Sequence, residues 1–267
     1  MQLSDCRVVL TGATGGIGLA LVEQLCEGGA QVLAVSRQPD ALAALVARYP
    51  LQLHQVSADL RTSAGRQAIV EAARHLGGVN VLLNGAGVNR FALLEQLDDA
   101  EIADMLAVNL VASLQLTRAL LPILRSQSHA LVVNLGSTYG SIGYPGYAVY
   151  CASKFALRGF SEALRRELAD TDVNVLYVAP RATRTRMNSS AAMALNEALK
   201  TSVDEPQGVA REVVGAIRRN LNELYLGWPE KLFVRLNGLL PGVVDRALRK
   251  QLPVIRSFIQ LQENPPR

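Results

Sequence analysis

Seven short runs of β-branched and leucine-rich sequence, separated by longer stretches with helical spacing, leave this chain few ways to fold. The runs are RVVL (7–10), QVLAVS (31–36), LQLHQV (51–56), VLLN (81–84), ALVVNL (130–135), VNVLYVA (173–179) and ELYLG (223–227). Most are too continuously apolar to keep one face in water, which is the mark of strands covered on both sides. Between the first two, GLALVEQLCEGG (18–29) places Leu19, Leu21, Val22 and Leu25 on one helical face and closes on Gly28-Gly29 as a helix C-terminus does. A βαβαβ series of this kind predicts an α/β fold whose parallel sheet lies between two helical layers.

The link between the first run and the first helix is TGATGGIG (11–18). Glycines there turn tightly and let backbone N–H groups approach a pyrophosphate at a helix N-terminus. A glycine-rich turn with no ligand would look similar, but the position after the first strand and at the start of an amphipathic helix favours dinucleotide binding. Gly12, Gly16 and Gly18 are the expected contacts, with Thr14 and Ile17 between them.

Composition narrows the class. The 267 residues are 49% hydrophobic and 19% charged, enough to bury one large core as a single globular unit. A formal net charge of +4 without a clustered basic face does not suit nucleic-acid binding. Cys6, Cys26 and Cys151 have neither zinc spacing nor an even count, so no metal site or disulfide framework is expected. The N-terminus has no signal-peptide pattern, and no apolar run reaches the roughly 18 residues of a membrane span. A reducing cytoplasm is the expected compartment.

In YPGYAVYCASK (144–154), Tyr150 and Lys154 stand one helical turn apart, on one face of a helix expected to run from Tyr150 toward Asp170. A free phenol has a pKa of about 10 and is a slow acid or base at neutral pH, and a nearby ammonium is expected to lower it. Taken alone, the pair is better read as an ordinary packed surface contact. Tyr139, Tyr144 and Tyr147 are rival phenols, of which Tyr147 is expected to line a pocket.

The loop spacing T-G-x-x-x-G-I-G, carried by Thr11, Gly12, Gly16, Ile17 and Gly18, resembles the short-chain dehydrogenase/reductase family rather than the commoner G-x-G-x-x-G dehydrogenases. The resemblance covers about residues 5–227 and implies a Rossmann-like, doubly wound, seven-stranded parallel sheet with the Tyr-x-x-x-Lys motif at its active site. It implies Tyr150 as acid/base, Ser137 as the group that hydrogen-bonds the substrate carbonyl, and Lys154 as pKa modulator and nicotinamide-ribose contact. Asn109 would hold a water that relays protons. It further assigns Asp59 and Leu60 to the adenine, and Asn84, Gly85 and Ala86 to a second glycine motif with Gly85 in a position more often alanine or asparagine. Pro180, Thr183 and Thr185 would meet the nicotinamide carboxamide. Where an acid would bind an unphosphorylated ribose, the second strand ends in Ser36-Arg37, so NADP is expected over NAD. Arg181 replaces the family's glycine after Pro180; it is read either as projecting toward an anionic substrate group or as a solvent-facing side chain.

The resemblance implies hydride transfer between nicotinamide and a carbonyl or secondary alcohol, in a homodimer or homotetramer formed through the helices carrying Asn109 and Tyr150. A nucleotide-sensing scaffold without turnover is the alternative from another class, disfavoured by an intact proton-transfer set. Residues 186–206 lie where the family carries a substrate lid, and Met187, Met193 and Leu195 suggest a greasy pocket or simple packing. With residues 1–227 read as the catalytic domain, 228–267 form an amphipathic helical extension with seven basic residues against three acids. It suits peripheral contact with an anionic membrane, a subunit interface, or folding back over the substrate cleft. A lipid-like or 3-oxoacyl substrate is expected from the lid and this extension.

Overall fold

A computed structural model describes residues 1–263 of the chain. Seven strands, β1 (Arg7–Thr11), β2 (Gln31–Ser36), β3 (Leu53–Ser57), β4 (Val81–Asn84), β5 (Ala130–Leu135), β6 (Val173–Ala179) and β7 (Glu223–Tyr225), form one sheet in the order β3-β2-β1-β4-β5-β6-β7, parallel throughout. The chain reverses its direction of winding between β1 and β4, and ligands bind at the carboxyl ends of strands at such a switch point. The run expected as a strand from residue 51 starts at Leu53. The backbone is still turning there, with Gln52 N and Leu53 N both donating to Tyr49 O, and Leu51 faces solvent.

The helices are α1 (Gly16–Glu27), α2 (Ala43–Arg48), α3 (Ser63–His75), α4 (Asp99–Leu106), α5 (Ala112–Arg125), α6 (Ala148–Glu167), α7 (Ser190–Ala198), α8 (Pro206–Arg219), α9 (Glu230–Leu239) and α10 (Pro241–Glu263). One sheet face packs on α1 and α8 through Leu21, Leu25, Val213 and Ile217. The other packs on α3, α5 and α6 through Ile69, Leu116, Leu120 and Leu164. Each such side chain, removed from water, contributes about 1.5–3 kcal/mol.

From α4 to α5 the helix is unbroken, passing through a π-helical turn at Ala107–Val111. By length and composition alone, the rod Asp99–Arg125 is apolar enough to cross a membrane. Its packing identifies it instead as a flank of the sheet, because its polar Asn109, Ser113 and Thr117 are buried inward together with Leu116, Leu120 and Leu124.

A third apolar cluster lies outside the sheet layers. Ile255 and Ile259 of α10 pack with Ala192 and Leu195 of α7 and with Phe91, Tyr147 and Cys151. The last described helix therefore lies across the region after β6, on the side of the molecule where the strands end.

Candidate active site

The strand-to-helix turn after β1 is closed by two glycines. Gly12 has φ +72, and a Cβ there would lie 2.6 Å from Gly85 O. A Cβ on Gly18 would overlap Gly12 O. The two glycine motifs are thus in backbone contact across the switch point, and Thr11 Oγ1 holds the second by accepting from Gly85 N (3.0 Å) and Ala86 N (3.2 Å). The N-terminus of α1 faces the opening, with its N–H groups directed as a pyrophosphate needs.

Ser137 follows β5 and caps a 3-10 turn at Thr138–Gly140, its Oγ accepting from Tyr139 N at 3.1 Å. Tyr177 of β6, fully buried, props this turn from below. Its hydroxyl donates to Ser137 O (3.2 Å) and accepts from Ser137 N (3.4 Å). Gly136 and Gly140 leave the space its ring tip occupies, since a Cβ on either would overlap Tyr177 Oη.

On α6, Lys154 is buried and donates to Leu135 O at 2.8 Å, with its Nζ 5.6 Å from the centre of the Tyr150 ring. Burial pushes the Tyr150 phenol up to about 12, partly opposed by a hydrogen bond with Ser137. Burial also pushes the Lys154 ammonium down to about 8. Burial thus disfavours the charged form of each group, and for Tyr150 it sets the net direction in the free protein. At neutral pH the pair stands as phenol plus ammonium, with the tyrosine holding a proton to give.

These shifts make stability depend on pH. Between about pH 8 and 10.5 the unfolded chain keeps the Lys154 proton that the folded protein has released, so this group adds stability as pH rises. The raised Tyr150 acts oppositely, and its contribution is lost only as pH passes from about 10 toward 12. Cys6 and Cys26, raised by burial to about 11, subtract alike from wild type and variants. The unfolding free energy of wild type relative to Lys154→Met should therefore grow by ~2 kcal/mol between pH 8 and 9.5. Urea titrations at matched pH measure it.

Asn109 sits fully buried in the π-helical turn. Its Oδ1 accepts from Val88 N (2.8 Å), and its Nδ2 donates to Val88 O (2.9 Å) and Ser153 Oγ (3.1 Å). The side chain thus splints the loop after β4 to α6, with both amide hydrogens engaged. Asn84 also departs from its expected place. Its Nδ2 donates into the core, to Thr117 Oγ1 (3.1 Å) and Asn134 Oδ1 (2.8 Å), and Asn134 continues to Ser161 Oγ (2.9 Å). That chain ties β4 and β5 to α5 and α6, leaving the backbone of 84–86 rather than the Asn84 side chain near the cleft.

A cavity of about 890 Å³ joins these parts, lined by Gly12, Thr14, Gly16, Ile17, Gly18 and Gly85 together with Ser137, Tyr150 and Lys154. Pro180, Thr183 and Thr185 also face it, and Gly16 allows the close approach of the Thr185 methyl. Ser36, Arg37, Asp59 and Leu60 lie outside it, beyond the ends of β2 and β3. Ser36 Oγ reaches Thr14 Oγ1 at 3.4 Å, and Arg37 is exposed. The Asp59 carboxylate, expected at the adenine, is held by Arg61 (2.7 Å), whose hydrogen bonds pull its pKa down to about 2. Leu60 O accepts from Arg66 (2.7 Å).

The far wall contains residues that the motifs do not signal. Tyr139, Tyr144 and Tyr147 stack beside Tyr150, and Phe233, Leu236, Val244 and Leu248 of α9 and α10 close the other side. Tyr144 Oη lies 3.4 Å from Gln251 Oε1 of α10. Of the three lid residues expected at a greasy pocket, only Met187 lines it. Leu195 packs the lid against α10, and Met193 is half-buried away from the cavity.

Arg181 lines the cavity with its guanidinium already engaged by two acids. It donates to Asp204 Oδ1 (2.8 Å) and Glu230 Oε2 (3.1 Å), with its side chain 17% exposed. It thereby pins the end of the lid and the start of α9 to β6.

A sequence profile described as short chain dehydrogenase matches residues 7–196. The chain belongs to this family. Short-chain dehydrogenases similar to it include the ketoacyl reductase HetN of Nostoc sp., 30% identical over 92% of this chain and 89% of that protein. The 3-oxoacyl-[acyl-carrier-protein] reductase FabG of Escherichia coli is 30% identical over 67% of this chain and 74% of that protein. A short chain dehydrogenase from Burkholderia cenocepacia, solved in complex with NADP, superposes with a TM-score of 0.79 at 25% identity, covering 93% of this chain and 99% of that one. The protein is accordingly an oxidoreductase of the short-chain dehydrogenase family, whose members use nicotinamide cofactors. The turn at Gly12, Gly16 and Gly18, where a Cβ would collide with Gly85, Thr185 and Gly12 in turn, lines the cavity with close-packed backbone and fits such a dinucleotide.

Proposed function

We propose that this short-chain dehydrogenase is an NADP-preferring carbonyl reductase acting on lipid-like or 3-oxoacyl ketones. The observation that carries the reading is one continuous cavity lined by the glycine cradle, by Ser137, Tyr150 and Lys154, and by an apolar wall from α9 and α10. A bound nicotinamide supplies or accepts the hydride. The backbone around Gly12, Gly16 and Gly18 holds the pyrophosphate, and Thr183 and Thr185 orient the carboxamide end. Ser137, kept rigid by Tyr177, donates to the substrate carbonyl oxygen. Tyr150, protonated at neutral pH, gives its proton to the same oxygen as charge develops there. Lys154 orients the nicotinamide ribose and favours the phenolate that remains. Asn109 keeps the loop after β4 seated against α6, and a relay water beside it would return protons to Lys154.

The substrate class is supported by the stacked tyrosines and the apolar residues of α9 and α10, and by the ketoacyl reductase named among the relatives. Val111 and Phe155, exposed on the neighbouring rod and α6, suit a homo-oligomeric contact through those helices. Fluorescence titration with NADPH and NADH, followed by a panel of 3-oxoacyl thioesters and long-chain ketones, tests the reading. Absence of nucleotide binding by folded protein would end it.

Cofactor preference is placed on Arg37, which forms no hydrogen bond or ion pair among the described residues and stands at the end of β2, where a ribose 2′-phosphate would lie. A charge-assisted hydrogen bond contributes about 1.5–3 kcal/mol. Arg37→Asp should therefore weaken NADPH binding roughly ten- to a hundredfold with little effect on NADH. Equal losses for both cofactors would remove Arg37 from this role.

A further inference from the structure

The exposed apolar residues are concentrated at one corner of the molecule. Leu239 is 80% exposed and Leu240 56% exposed at the turn between α9 and α10, with Trp228 (69%) ahead of α9. Leu232 and Leu239 stand two helical turns apart, so they share one stripe of α9. An exposed cluster of this kind is unusual on a monomer surface that meets only water.

Cations flank the cluster. Lys231 and Arg235 project from α9 and Arg246, Arg249 and Lys250 from α10, all exposed. None of them takes part in an ion pair among the described residues. Glu230, at the start of α9, is already held by Arg181. Apolar side chains at a projecting turn with unpaired cations behind them form the pattern of an interfacial helix pair.

The corner is also continuous with the cavity. Phe233 and Val243 line the cavity and are at the same time 45% and 41% exposed. The cavity wall is thus built in part from the same two helices that carry the apolar turn. A second copy of the chain on this face would set one group of cations against its symmetry mate, which like-charge repulsion disfavours. An anionic lipid surface satisfies both the charge and the apolar turn.

We propose that the α9–α10 turn docks on an anionic bilayer, with Leu239 and Leu240 among the acyl chains and Lys231, Arg235, Arg246 and Lys250 at headgroup level. That part of the cavity wall then faces the bilayer, and a lipid-like ketone passes between Phe233 and Val243 without crossing water. This last clause rests on the proposed carbonyl reductase activity; the docking does not.

The full chain, sedimented with phosphatidylcholine vesicles containing or lacking phosphatidylglycerol, tests the proposal. Wild type should sediment with the anionic vesicles, far less with neutral ones, and be released by high salt. Leu239→Asp/Leu240→Asp and, separately, Arg246→Glu/Lys250→Glu should each weaken anionic-vesicle binding by more than about tenfold. The leucine variant should keep wild-type turnover of a water-soluble ketone. Wild type left in the supernatant with both vesicle types would overturn the proposal, as would variants that bind like wild type. An oligomer that dissociates in the leucine variant, with no lipid binding by wild type, would assign the face to a second copy. Sedimentation needs no turnover, so vesicle binding without ketone reduction would sink the enzymatic reading alone, and reduction without binding the docking alone.

Discussion

Tyr150→Phe is expected to lower turnover by roughly 10²–10⁴-fold, the usual contribution of a positioned general acid. The substitution removes one hydroxyl and keeps the ring that packs edge-on against Tyr139 and Tyr147. NADPH affinity, measured by fluorescence, should be close to wild type, because the glycine cradle is a separate part of the cavity lining. The loss should fall on kcat, since the proton is transferred only as the transition state forms. A variant with unchanged kcat would show that another group supplies the proton. Wild type that binds NADPH tightly yet reduces no ketone on a broad panel would instead favour the nucleotide-sensing alternative.

Arg181→Ala is expected to cost about 2 kcal/mol of stability, observable as a drop in Tm of about 4–8 °C. The arginine is shielded enough for its loss to leave Asp204 and Glu230 as poorly solvated, unpaired acids. Removing a partner from a fully buried pair costs more, and the residual exposure here reduces the figure. The clamp joins lid to tail, so KM for a long-chain ketone should rise more than KM for a small one, with kcat on the small ketone little altered. Arg181→Lys should recover only part of the effect, because a single ammonium lacks the planar fork that reaches both carboxylates. Equal changes in KM for both ketones would limit the clamp to a role in stability.

The two substitutions mark where sequence was informative and where it was not. The seven strands were legible because a strand buried on both faces must be apolar almost throughout, and that pattern is local. The start of β3 moved, where the exposed Leu51 mimics a strand residue inside a turn, and β7 ends at Tyr225 rather than at residue 227. Ser137, Tyr150 and Lys154 could be singled out only through the resemblance to the family's motifs, since the position after a strand and the one-turn spacing alone do not distinguish them. Tyr177 could not, since a phenol in an apolar strand looks like core until its hydroxyl is seen beneath Ser137. Its only trace is the pair Gly136 and Gly140 on either side of the serine. The ion pairs of Arg181 were not legible because its partners, 23 and 49 residues further along, are brought to it only by the packing of the lid and the tail. Of the readings open for residues 228–267, the structure shows α9 and α10 folded back over the cleft, a matter of long-range packing that amphipathic spacing cannot decide.

Phe233, Leu236, Val244 and Leu248 stand beyond the stretch that matches the family, which ends at residue 196. The proton-transfer groups and the α9–α10 part of the cavity wall are thus encoded in successive parts of the gene, although Tyr139, Tyr144 and Tyr147 of the same wall lie with the former. Inheritance can act on one while sparing the other. A change confined to the final forty or so codons would reshape that part of the wall and leave the proton-transfer groups as they are.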